Sequence, residues 1–90
     1  MALVAFGRKT LDPERPTHGE VLLVIRDLPR RFRSCSLDVS MRGTSELYED
    51  WVAIRVTAEQ PEVADGCVEW LSRQLTSRSI VIVPLEHIGS

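Results

Sequence analysis

Four guanidinium groups fall within the eight residues from Arg26 to Arg33, Arg-Asp-Leu-Pro-Arg-Arg-Phe-Arg, and no other stretch of the chain is as one-sided chemically. Guanidinium forks match carboxylate and phosphate oxygens, so Arg26, Arg30, Arg31 and Arg33 are candidates for holding an acidic protein surface or a nucleic-acid backbone. Phe32 stands among them, where its ring would stack on an unpaired base. A second candidate group follows in the acidic stretch with Glu46, Glu49 and Asp50, where Tyr48, Trp51 and, one turn of strand later, Arg55 are of the types that most often anchor interfaces. The competing reading is a solvated turn whose arginines pair with Asp27 or with the acidic half of the chain.

Other chemistry finds little to build on. Nucleophilic catalysis needs Ser or Cys beside a base and an orienting acid; Cys35, His18 and Asp38 would have to converge from separate segments. Structural zinc needs four clustered ligands, and Cys35, Cys67, His18 and His87 include no short-spaced pair. There is no glycine-rich loop opening a helix to cradle phosphate, because Gly66 stands alone. No cofactor, metal site or enzymatic activity is expected. Cys35 and Cys67, two cysteines without an export signal, read as buried thiols that serve as small hydrophobes.

With 90 residues there is room for one domain, 1–90, with a single thin core. Apolar residues at 43% and charged residues at 27% are ordinary for a globular protein. No apolar run is long enough to span a bilayer, so the expectation is a soluble, cytoplasmic protein. Charge is split along the chain: residues 1–42 carry eight basic and five acidic side chains, for +3, and residues 43–90 carry three and eight, for −5. Such a split marks either a basic surface for a polyanion or complementary patches that meet between protomers, unless the halves interleave in space.

The elements that must position these groups are read from periodicity. Met1 to Phe6 is a short apolar strand. Gly7 to Gly19, with Pro13 and Pro16, is a long loop in which His18 is an exposed turn residue. Val21-Leu22-Leu23-Val24-Ile25 is apolar on both alternating faces and reads as a strand covered on both sides, with Pro29 turning it into the next. That next strand alternates Cys35, Leu37, Val39 and Met41 inward against Ser36, Asp38 and Ser40 outward. Trp51 to Thr57 buries Val52, Ile54 and Val56. Apolar positions 63, 64, 67, 70, 71 and 75 predict a helix from Pro61 to Thr76, packed through Val63, Cys67, Trp70, Leu71 and Leu75. Ile80 to Val83 returns as a buried strand parallel to the one before the helix.

The fold class is therefore α+β: a four- or five-stranded mixed, mostly antiparallel sheet with one long helix on one face, in the order β-β-β-β-α-β. One sheet face is left for solvent or a partner. The function expected is a non-catalytic protein-interaction, accessory or regulatory module acting as a homo-oligomer, because a small chain with one core gains stability by dimerising. The partner is another protein or a second copy. The alternative is a small single-stranded nucleic-acid-binding protein using the Arg26–Arg33 cluster, and a small enzyme comes third.

Overall fold

In the computed structural model, residues 2–88 are described; Met1, placed in the first strand above, lies outside them. The elements are β1 (Ala2–Arg8), α1 (Thr17–Arg26), β2 (Ser36–Gly43), β3 (Asp50–Thr57), α2 (Pro61–Thr76) and β4 (Val81–Val83), with 3-10 turns at Arg30–Phe32 and Leu85–His87. The strands form one sheet in the order β2-β3-β1-β4, and every neighbouring pair is antiparallel. The chain thus has the split β-α-β connectivity of ferredoxin-like domains, in which each helix joins two strands that a third separates. β3 and β4 are each antiparallel to β1, so they run parallel to one another without being neighbours.

The sheet is antiparallel rather than mixed, it has four strands, and two helices cover it rather than one. The difference comes from residues 17–26. The run Val21–Ile25 is a helix, not a central strand: Thr17, Glu20, Val21 and Val24 are buried while Leu22 and Leu23 are 43% and 46% exposed. A fully apolar run fits a covered strand and a helix equally well by periodicity. β-Branched Val21, Val24 and Ile25, with Gly19 in the first turn, also lower intrinsic helix propensity. What fixes the helix is distant in sequence. Its first turn has no side-chain cap of its own, and the Thr17 N–H donates instead to the Asp50 carboxylate at 2.7 Å, from the start of β3. The connection before it is correspondingly shorter than the loop expected, spanning 9–16.

α2 spans the residues its periodicity predicts, with Pro61 in the first turn, where a missing N–H costs nothing. Ala64, Cys67, Leu71 and Leu75 form its buried stripe; Val63 and Trp70 pack at the rim, half-buried, so Trp70 is not central. Both helices lie on the same side of the sheet. Val4 and Phe6 of β1, Val52, Ile54 and Val56 of β3, Val21 and Val24 of α1 and the α2 stripe make one core. Full burial of a side chain such as Phe6 or Leu71 stabilises the fold by about 1.5 to 3 kcal/mol.

Two strands depart from expectation. β2 pairs Val39 with Ile54 and Met41 with Ala53, a bulge that inserts Ser40 and turns Met41 away from the core. Met41 is 48% exposed, on the opposite face from Leu37 and Val39. β4 is a three-residue edge strand rather than a buried one: Ile80 and Val83 are buried, but Val81 and Ile82 are 44% and 52% exposed. Its brevity, with Pro84 next, limits further pairing along that edge.

Candidate functional site

The arginine-rich segment is the exit from α1, not a hairpin tip. Arg26 is the last residue of the helix, and Pro29 sets up the 3-10 turn that Phe32 N–H closes onto the Pro29 carbonyl at 3.0 Å. Phe32 is 7% exposed and seats its ring against Gly66 of α2, where an added Cβ would come within 3.3 Å of the ring. Gly66 costs its helix about 1 kcal/mol relative to Ala, and this seat is what it provides. The Arg31 guanidinium covers the ring at 4.7 Å from its centroid. Phe32 is therefore a core residue and is withdrawn from base stacking. Arg26, Arg30, Arg31 and Arg33 are all exposed, and among the described residues none makes an ion pair.

The acidic stretch serves the fold. Glu49 accepts the Leu11 N–H at 3.0 Å and Asp50 holds the first turn of α1. Thr17 in that turn is nine residues, about 13 to 14 Å of rise, from Arg26, so the basic and acidic groups occupy opposite ends of α1. Trp51 is only 5% exposed. Its indole lies over Gly43, where a Cβ would meet the ring at 3.1 Å, and its N–H has no partner among the described residues. It is a packing residue and not an exposed anchor. Tyr48 is half-buried, with its ring 6.1 Å from that of His87, and Arg55 is exposed.

The face of the sheet turned away from the helices carries a second, smaller cluster: Ala5, Trp51, Ala53 and Val83, with Tyr48 and Ile88 packed on it. Gly7 belongs there because a side chain would strike the Asp50 carbonyl at 2.8 Å, Trp51 Cβ at 2.9 Å and Val83 at 2.9 Å. Around this cluster the face is open. Leu3 is 46% exposed and sits beside Arg55, which is paired in turn with Asp38; Met41 is paired with Ala53, and Ser36 with Thr57. Of the residues singled out from sequence, the structure places Arg55 on this face and the four arginines at the far end of α1. The two groups are separate surfaces.

One charged cluster went unread in the sequence. Glu20, with a side chain 7% exposed, accepts Arg15 Nε at 2.9 Å and also pairs with Arg78, while Arg8 donates to the backbone carbonyls of Arg15 and Arg78. The Arg15 hydrogen bond, with help from Arg78 and against the effect of burial, holds the Glu20 carboxyl below its ordinary pKa. Its signal was the spacing Thr17-x-x-Glu20, which marks a helix start. This cluster ties the 9–16 loop and the turn after α2 to α1; Arg15, Glu20 and Arg78 are paired among themselves, while Arg8 meets only backbone carbonyls and its buried Nε has no partner among the described residues.

A surface recess of about 470 Å³ is lined by Ser45, Glu46, Leu47, Glu86 and His87. Ser45 Oγ is engaged by the backbone of Tyr48 at 3.2 and 3.3 Å, and no hydrogen bond joins it to His87 among the described residues. His18 does not approach Cys35 or Asp38 through any hydrogen bond; its Nδ1 lies 3.0 Å from Arg42. Cys67 is buried and its thiol is pushed up to about 11, chiefly by burial, with Cys35 beside it. Among the described residues no group of His, Cys, Asp and Glu is placed to hold a metal ion, and no helix is long and apolar enough to cross a membrane. No family model, curated protein or solved structure matches the chain.

Proposed function

We propose that the protein is a non-catalytic interaction module that works as a homo-oligomer and docks through the sheet face its helices leave uncovered. The observation that carries this is the set Leu3, Met41 and Arg55 on that face. Two apolar side chains almost half exposed flank a cross-strand Asp38–Arg55 pair, on rigid strands rather than on a loop. Exposed apolar side chains beside charged ones are the composition of a docking patch, and arginine is a favoured anchor within one. The bulge at Ser40 supports the reading, since it spends a ladder position to bring Met41 to this face.

Sedimentation velocity from about 1 to 100 μM tests it: an interaction module of this kind is expected to gain mass with concentration across that range. A chain that remains at 10.2 kDa throughout removes self-association.

A second reading keeps the exposed arginines in view. Arg26, Arg30, Arg31 and Arg33 are free of intramolecular ion pairs among the described residues and supply a sequence-independent attraction for phosphates. With Phe32 buried, this binding would be electrostatic alone. It would fall with salt at a log–log slope of about −0.7 per phosphate contact, and alanine at Arg30, Arg31 and Arg33 would flatten that slope by about two. An oligonucleotide titration flat to about 100 μM at physiological salt ends this reading.

A further inference from the structure

The open sheet face is self-complementary about a single line, and we infer that a second copy of the chain occupies it. The line runs along the strands between β2 and β3. Reading across it, the outward-facing partners are Ser36 with Thr57, Asp38 with Arg55, and Met41 with Ala53. The two exposed rows put complementary groups side by side: acid against base at Asp38 and Arg55, and one hydroxyl against another at Ser36 and Thr57. A two-fold axis along that line, in the plane between two facing sheets, keeps the height of each row and exchanges its sides. Asp38 of one protomer then lies under Arg55 of its partner, and Arg55 under Asp38. Ser36 of each protomer likewise faces Thr57 of the other.

Neighbouring strands are about 4.8 Å apart and facing sheets about 10 Å apart. The gap is filled where one long side chain meets a shorter one, which is what the exposed Asp38–Arg55 row supplies. The charges point the same way. Asp38 and Arg55 are both exposed, and no ion pair joins them to each other or to any other described side chain. An unrelated partner would need its own matching pattern, whereas a second copy carries it by symmetry, as an isologous interface requires. Tyr48 and Ile88 pack on the Ala5–Trp51–Ala53–Val83 cluster, so the uncovered rows are the ones toward Ser36 and Thr57.

This inference rests on the homo-oligomer reading and is tested apart from it by charge exchange. Arg55→Asp gives a protomer with acids at both positions, and Asp38→Arg gives one with bases at both. Each alone is expected to weaken the dimer by about tenfold or more, through like charges facing each other across the interface. An equimolar mixture of the two variants restores a dimer of wild-type strength to within about threefold, because each acid then faces a base. Neither intrachain repair nor a different interface produces that rescue. The doubly exchanged chain, D38R/R55D, is expected to dimerise by itself. Sedimentation equilibrium reads the mass, and an unchanged unfolding midpoint confirms that each variant is folded.

A wild-type dimer that ignores both single substitutions overturns this face as the interface while self-association stands. A wild-type chain monomeric to about 100 μM overturns the second copy as occupant together with the homo-oligomer reading. Single variants that dissociate, and that stay apart when mixed, overturn the two-fold placement between β2 and β3.

Discussion

The two faces of the sheet are built from the same strands by opposite means. Toward the helices, β1 and β3 present Val4, Phe6, Val52, Ile54 and Val56, long side chains that meet Val21, Val24, Cys67, Leu71 and Leu75 in one continuous core. Away from the helices the same strands present Ala5, Gly7 and Ala53, with Trp51 laid flat over Gly43. One face is stabilised by filling a deep space and the other by leaving no room above the backbone. The first should be sensitive to removing atoms and the second to adding them, and that asymmetry can be measured.

The largest effect is expected on the covered face. Leu71→Ala empties a fully buried site between α2 and the sheet and should cost about 3 kcal/mol in denaturant unfolding. A loss below about 1 kcal/mol would mean that the helix layer collapses onto the gap, and the contrast between the faces would fail there. On the other face, Gly7→Ala adds one methyl where backbone and Trp51 already stand within 3 Å, and should cost about 2 kcal/mol by overpacking. An unchanged midpoint would show that β1 shifts freely against β3 and β4.

Next in size is Glu20→Gln, which sharpens the comparison at the helix side by removing the charge that gathers Arg15 and Arg78. It should cost about 1.5 to 2 kcal/mol at neutral pH. The pH dependence has a definite sign. The folded carboxyl titrates below its unfolded value near 4.5, so its contribution is complete above that pH and is lost as pH falls through the lowered folded value. Melting midpoints of wild type and Glu20→Gln should therefore run apart at pH 7 and converge toward pH 3. The smallest effect is Met41→Ser, which should leave monomer unfolding within about 0.5 kcal/mol because the side chain is half solvated. A larger loss would place Met41 in the monomer's own packing and remove it from the docking surface.

The covered face was legible in the sequence where a residue's environment is set by its near neighbours. The 3.6-residue stripe of α2 and the alternation Val52–Ile54–Val56 each place one face against the core without reference to anything distant. α1 was not legible in that way. Its helical state depends on Asp50 closing its first turn and on Glu20 collecting arginines from two other segments, while locally Val21–Ile25 is apolar at every position. That one misreading moved the sheet order, replaced a helix by a strand and turned the exit of α1 into a hairpin tip. Phe32 followed with it, because a phenylalanine among arginines reads as exposed until Gly66 of α2 is seen to receive it. Met41 was misplaced by a single inserted residue, since period-2 alternation carries no mark of a bulge. Arg55 needed only the phase of β3, which its buried neighbours supply.

The position of β1 in the sheet has a consequence for how the molecule assembles. β1 is hydrogen-bonded on one side to β3 and on the other to β4, so Ala5 waits for both Ala53 and Val83. Its backbone finds no lasting partner among the residues near it in sequence. Both of its neighbours must be recruited by closing long loops, an entropic cost met before the pairing rewards it. Folding should therefore be slower than the modest size suggests. Until β4 docks, an apolar strand with an unpaired edge stands open to whatever other strand arrives first.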